Sequence, residues 1–272
     1  MYFPYMPNEF FIFCAGLFGA AAGSFFHVCI WRIPHDESIV TPGSHCPQCG
    51  KQIPWYNNIP ILTYLLLGGR SRCCGTRIPI RYFVYEALTA LLYMGIVAHF
   101  GFSNTALLYI FLVSVLIISS GIDWDYYYIP DRFSLTMIPF SVLAAAGAQW
   151  LHLFPQAYVQ SVGDALWGIV IAGGVIWLIR IIGSWVFQQE AMGFGDVKLM
   201  AYIGGFIGWD LALLSIFLAS FAGSIVGLSL KFSGRMEKYG HLPFGPYLAL
   251  GAYLSMIYGP PIIEWYIQPF ST

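Results

Sequence analysis

The chain has 272 residues, 58% of them hydrophobic and only 9% charged, with a mean hydropathy of +0.69 and a formal net charge of −1. A soluble domain carries roughly 25% charged residues, so a water-soluble globular protein is excluded and an all-α polytopic membrane protein is read. The net charge gives no reason to expect a nucleic-acid partner; the placement of the charges is the informative part.

Eight apolar segments follow in chain order, at about 8–31, 82–100, 104–122, 133–152, 162–185, 196–209, 211–230 and 244–264. Most have the ~20 residues needed to cross ~30 Å of hydrocarbon. Cys14 and Cys29 fall in the first and read as buried apolar filler. No basic residue precedes that segment, so it is read as a retained span and not a cleaved signal peptide. Gly19-xxx-Gly23, Gly204-xxx-Gly208 and Gly223-xxx-Gly227 are expected to be close-packing helix faces.

Residues 33–81 are the only stretch long enough for an extramembrane subdomain. They contain Cys46-Pro-Gln-Cys49-Gly and Cys73-Cys74-Gly. A CxxC followed by glycine aims two thiolates at one metal, and a second pair about two dozen residues on completes a tetrahedral zinc site. In a reducing compartment zinc is favoured over disulfides. Adjacent cysteines sit awkwardly on one ion, so the fourth ligand beside Cys46, Cys49 and Cys74 is left between Cys73 and His45. The expected organisation is a first span at 1–32, the Cys-containing loop at 33–81 and a multi-span domain at 82–272.

All twelve Lys and Arg residues fall on one side of these spans. Arg32, Lys51, Arg70, Arg72, Arg77 and Arg81 lie in or beside the first loop. Arg132 follows the third span, Arg180 lies in the inner half of the fifth and Lys198 just inside the sixth. Lys231, Arg235 and Lys238 fill the last inner loop. By the positive-inside rule that side is cytoplasmic, and both termini face out.

Two carboxylate clusters then stand at the same inner face. Asp123-Trp-Asp125 closes the third span running inward, and Gly193-Phe194-Gly195-Asp196 opens the sixth running outward. A carboxylate at the edge of a span is costly to keep and is a functional candidate. Gly193 and Gly195 permit a tight entry into the helix, and the dipole at a helix start suits the Asp196 charge. The bland alternative makes Asp196 a helix cap. The sixth span is short, ~21 Å of helix, so it starts deep, or the bilayer thins, or neighbours shield it. Two carboxylates that share a proton can hydrolyse a peptide, one as base on water and the other polarising the carbonyl. Asp125 and Asp131 compete for the partner role; Asp131, after Ile129-Pro130, reads as a turn residue.

These motifs together resemble the type IV prepilin peptidases, membrane aspartic proteases of the GxGD class. Gly23-Ser24-Phe25-Phe26-His27-Val28 with Trp31-Arg32-Ile33-Pro34 resembles that family's first-span ending, although His27 stands where Asn is usual. Asn58-Ile59-Pro60, Arg81-Tyr82 and Val84-Tyr85-Glu86 follow in order. Ile122-Asp123-Trp124-Asp125 through Asp131, Gly193 through Leu199, and Pro243-Phe244-Gly245-Pro246 complete the match. The resemblance implies Asp123 and Asp196 as the catalytic pair, with Asp125, Gly193, Gly195, Lys198 and Glu86 in support. It implies pilin-like or pseudopilin precursors as substrates, cut at the cytoplasmic face of the inner membrane. It further implies N-methylation with S-adenosylmethionine. The family's second knuckle is also CxxC; here Ser71 occupies the place of its first cysteine. Glu86, near Arg81, is read as a supporting or methyl-transfer residue, its plain alternative being an ion pair.

Three other readings compete with this one. A peptidase without methyl transfer is suggested by the altered second knuckle. A proton-coupled transporter would carry its carboxylates near the bilayer midplane in corresponding halves, and here they cluster at one face. A rhomboid-like serine protease is disfavoured because Gly-x-Ser-x-Gly is absent.

Overall fold

The computed structural model describes residues 7–46, 48–190, 192–233 and 242–268. Among these there is no β-strand, and the chain is an all-α polytopic membrane protein. The helices are α1 (Asn8–Arg32), α2 (Leu62–Leu66), α3 (Ile80–Phe100), α4 (Asn104–Tyr126), α5 (Asp131–Ser134), α6 (Met137–Leu151), α7 (Val162–Phe187), α8 (Phe194–Ile207), α9 (Trp209–Phe232) and α10 (Gly245–Ile267). With α5 and α6 taken as one segment, each of the eight apolar stretches is helical. Six of these, Asn8–His35, Ile80–Phe100, Asn104–Tyr126, Asp131–Leu151, Val162–Phe187 and Trp209–Phe232, are long and apolar enough to cross a membrane. Arg235 and Lys238 lie outside the described residues.

The chain forms two compact units, residues 1–110 and 111–272. In the first, α1 packs against α3 at very short range. A Cβ on Gly23 would lie 2.6 Å from the Tyr85 carbonyl, and one on Gly19 would lie 2.8 Å from Ala90 Cα. The predicted small-residue face is therefore a helix–helix seam, where only glycine lets the backbones approach. His27 stacks on Tyr82 with centroids 3.8 Å apart. Cys29 is buried as expected, but Cys14 is exposed, because its position on α1 turns away from that seam.

The second unit is organised around α8. Its neighbours are α6, α7, α9 and α10, and every residue from Leu199 to Ile207 is buried. The shortness of α8 is thus met by shielding, since a helix enclosed by other helices need not match the bilayer thickness. Gly204 and Gly168 meet backbone to backbone: a Cβ on Gly204 would sit 2.2 Å from the Gly168 carbonyl. Gly208 has another task. Its φ of +85° breaks the chain between α8 and α9, a conformation glycine adopts freely. Gly223 makes ordinary contacts and Gly227 meets nothing within 4 Å, so that third expected seam is not formed among the described residues. Ser161 caps α7 by accepting the Asp164 N–H at 3.0 Å, which satisfies one of the orphan donors at a helix start.

Candidate active site and metal centre

α4 ends, and α8 and α10 begin, at one end of the second unit. Asp123 sits in the last turn of α4 and Asp196 in the first turn of α8; each is only 7% exposed. Asp123 lies near enough to Asp196 for the two carboxylates to feel each other's charge. The Gly245 N–H, at the start of α10, donates to Asp123 Oδ2 at 2.9 Å. Asp196 Oδ1 is buried and has no hydrogen-bond partner. A buried polar atom left unpaired is costly, so this oxygen is a reactive or ligand-directed group and not a passive one.

The glycines act differently from the expectation. Gly193 is the α8 N-cap with φ −69°, which any residue adopts. Gly195 matters through proximity: a Cβ there would lie 3.1 Å from Ile129 Cβ. The helix starts at Phe194, so Asp196 is its third residue and not its cap. At that depth in the first turn a carboxylate still gains from the helix dipole.

Asp125 is half-buried. Two residues along a helix turn a side chain by about 200°, so Asp125 leaves α4 on the side opposite Asp123. Asp131, the first residue of α5, forms an ion pair with Lys198 at 2.5 Å. That pair ties α5 to the first turns of α8. Lys198 also lies over the Phe194 ring, 5.2 Å from its centroid, and Arg180 of α7 lies over the same ring at 5.8 Å. Arg180 Nε donates to the Met192 carbonyl at 3.0 Å and its guanidinium pairs with Glu190. The approach to Gly193 is therefore pinned from α7. Reading Arg180 only as a charge marker missed this role, as the Gly245 N–H was missed in the Pro-Phe-Gly-Pro motif. The signal for Arg180 was a charge inside an apolar span; the Gly245 contact has no local signal, because its partner is distant in the sequence.

In the first unit Glu86 is 7% exposed, and its Oε2 accepts the Ile61 N–H at 2.7 Å. A cavity of about 620 Å³ is lined by Ser44, Gln52, Ile53, Pro54, Trp55 and Asn58.

The four loop cysteines come together, with all Sγ atoms within 4.8 Å of one another. Each pair sits on a tight turn closed by an isolated bridge, His45 to Gln52 and Arg70 to Arg77. The two turns share one hydrogen-bond pattern. Cys46 N–H donates to the Lys51 carbonyl and Gly50 N–H to the Cys46 carbonyl; Ser71 N–H donates to the Thr76 carbonyl and Gly75 N–H to the Ser71 carbonyl. Ser71 therefore corresponds to Cys46 and Cys74 to Cys49. The missing thiol is supplied by Cys73, whose Sγ is 2.9 Å from Ser71 Oγ. His45 is outside the cluster, with Nδ1 turned to the Gly43 carbonyl at 3.1 Å.

A zinc ion with bonds of ~2.3 Å to four sulfurs requires sulfur–sulfur edges of ~3.8 Å. The separations are 3.6 Å for Cys46–Cys74, 3.2 Å for Cys49–Cys73 and 3.8 Å for Cys73–Cys74. The set fits. The backbone N–H groups of Cys49 and Gln48, with the Ser71 hydroxyl, pull the Cys46 thiol down to about 6, which favours the thiolate a metal binds. Cys49, against the pull of the Lys51 N–H, is pushed up to about 11 by Cys73 and desolvation, so it must give up a proton when a metal binds.

Comparison with known proteins gives the lineage. Residues 17–100 match the bacterial peptidase A24 N-terminal domain, and residues 110–228 match the type IV leader peptidase family. The chain belongs to the type IV leader peptidase family. Among its relatives are proteins named prepilin leader peptidase/N-methyltransferase. That of Pseudomonas aeruginosa is 32% identical over 95% of this chain and 94% of its own length. That of Stutzerimonas stutzeri is 31% identical over 95% and 94%, and that of Aeromonas hydrophila is 30% identical over 93% of each. No solved structure matches the chain.

Proposed function

We propose that this protein is a membrane aspartic peptidase that removes the leader peptide of type IV prepilins or pseudopilins and then methylates the new N-terminus. Membership of the leader peptidase family and the names of its relatives support the activity. The observation that carries the site is the buried pairing of Asp123 with Asp196, the first held by the Gly245 N–H and the second with one oxygen free.

Asp123, anchored through Oδ2, has its other oxygen available as base. It takes a proton from the water whose oxygen attacks the scissile carbonyl carbon. Asp196 carries the shared proton on its unpaired oxygen and donates it to the carbonyl oxygen, giving the tetrahedral adduct. Collapse breaks the C–N bond: the proton held by Asp123 passes to the leaving amine, and one hydroxyl of the adduct returns its proton to Asp196, which leaves the carboxylic acid and restores the one-proton pair. This is the division of labour that two carboxylates with one proton permit. Asp131–Lys198 and Arg180 keep the start of α8 in register with the end of α4.

Cys46, Cys49, Cys73 and Cys74 would hold a zinc ion in a closed, structural site. Its contribution is to fold a loop too small for a large core of its own. The methyl donor is S-adenosylmethionine. The inner bacterial membrane is the location, with the aspartates and the Cys loop at the cytoplasmic face and both termini outside.

The test is incubation of the purified protein with a prepilin, with and without S-adenosylmethionine, read by mass spectrometry. Loss of the leader in both reactions, and one added methyl group only when the donor is present, is expected. Cleavage without methylation leaves the peptidase alone; no cleavage removes the reading.

A further inference from the structure

The first loop exposes apolar side chains at Trp55, Tyr56, Ile59, Leu62, Leu65 and Leu66, with Trp55 at 81% and Leu66 at 76%. In water such a cluster is unfavourable. Its position shows where it belongs. Ile61 is bonded to Glu86, the seventh residue of α3, which is ~9 Å along that helix from its start. Tyr64 rests on Phe83, one turn nearer the start, with ring centroids 5.4 Å apart. α3 is long and apolar enough to cross a membrane, and Ile80, Val84, Leu88 and Leu91 form an exposed apolar stripe along it. α2 therefore lies beside the first two turns of a membrane span, at the depth where headgroups give way to acyl chains.

The backbone is prepared for that depth. A segment out of water must satisfy its own polar groups. Thr63, Leu65, Leu67, Gly68 and Gly69 all donate to carbonyls within residues 59–65. Ile61 opens α2 at φ +62°, a rare conformation for a β-branched residue. Its N–H is met by the buried Glu86 carboxylate. Strain of this kind persists only where the surroundings hold it, and Glu86 is what holds it here.

Charge agrees. Between Glu37 and Glu86 there is no acidic residue, while Lys51, Arg70, Arg72, Arg77 and Arg81 are all present. Trp and Tyr beside apolar residues and followed by Arg are the composition of an interfacial anchor, and basic residues near it favour anionic headgroups.

We infer that residues 55–66 form a membrane-dipping anchor, latched to α3 by Glu86, that seats the Cys loop on an anionic lipid surface. The occupant of the exposed face is lipid, because the face continues beside the apolar stripe of α3 at bilayer depth.

The experiment places p-benzoylphenylalanine at Leu65 and, separately, at Leu66 in the full-length protein. Each is reconstituted in vesicles of phosphatidylcholine with phosphatidylglycerol, irradiated and mapped by mass spectrometry. Leu91 on α3 serves as the lipid-facing reference and Lys51 as the water-facing one. Phospholipid adducts at Leu65 and Leu66 at the Leu91 yield, with none at Lys51, are expected. A Lys51-like result, or a dimer-sized crosslink in place of lipid, overturns the inference. In phosphatidylcholine alone the yield at Leu65 is expected to fall at least twofold; an unchanged yield overturns the anionic preference. Both target positions are exposed, so the substitutions leave the fold intact. A Glu86→Ala variant carrying the same probe is expected to lose the adducts, and Glu86→Gln, which keeps an acceptor, to retain them. Adducts undiminished in Glu86→Ala overturn the latch.

Discussion

Asp123 and Asp196 are each 7% exposed, and their surroundings differ in kind. One carboxylate is anchored by a backbone N–H, the other has an oxygen with no partner. Asp123→Asn and Asp196→Asn keep shape and remove the proton exchange. Each is expected to lower the cleavage rate by a factor on the order of 10³ or more with membrane insertion retained, checked by kinetics on purified protein. Asp125→Asn, on the opposite side of α4, is expected to keep most of the activity. Gly245→Ala is a finer probe. Its Cβ would fall 2.7 Å from Asp123 Oδ2, so the anchor must shift. Loss of one hydrogen bond to a charged group, about 1.5–3 kcal/mol, corresponds to a fall of about ten- to a hundredfold in kcat with KM little changed. The two aspartates were legible in the sequence because charge at the edge of an apolar run is rare. The Gly245 contact was not, because it joins a backbone atom to a side chain 122 residues away, and no local pattern encodes that.

The same division between legible and hidden holds for elements. All eight apolar segments are helical, since a long apolar run settles its own secondary structure. What the pattern left open was which helix is enclosed. α8 is the shortest of the eight and the most surrounded, and its shortness is explained by packing against α6, α7, α9 and α10. The Cys knuckles show the limit from the other side. Spacing announced a cluster able to hold a metal but could not choose between Cys73 and His45, because the choice depends on how a turn places two adjacent side chains. The shared hydrogen-bond pattern of the two turns puts Cys74 in the regular position and lets Cys73 stand in for the thiol that Ser71 lacks. Elemental analysis of the purified protein is expected to find one zinc per chain. Cys46→Ser and Cys73→Ser are expected to lose most of it, and His45→Ala to retain it. Loss of zinc in Cys46→Ser is expected to reduce methylation more than cleavage, since the aspartates are carried by α4 and α8 and not by the loop.

At the scale of the molecule, the Gly245–Asp123 hydrogen bond brings the end of α4 and the start of α10 to one end of the second unit. At the other end Tyr158, in the loop after α6, donates to the Met256 carbonyl, well along α10. Helices that alternate in direction satisfy both contacts. The structure fixes this alternation but carries no sign for inside or outside; the basic residues supply that sign, because Lys and Arg are retained on the cytoplasmic side. Lys198 and Arg132 stand at the aspartate end, and the loop carrying Ser161 at the other has neither Lys nor Arg. An engineered cysteine at Ser161 is therefore expected to react in intact cells with a thiol reagent that cannot cross the membrane, and one at Lys51 only after permeabilisation. Cys46, Cys49, Cys73 and Cys74 are on the same loop as Lys51, and Cys14 and Cys29 lie within the α1 span, so the unmodified protein is the control and is expected to stay unlabelled in intact cells. The reverse pattern, with Lys51 reached from outside and Ser161 protected, would invert the topology. It would place the aspartates where a precursor with its leader still in the cytoplasm could not meet them.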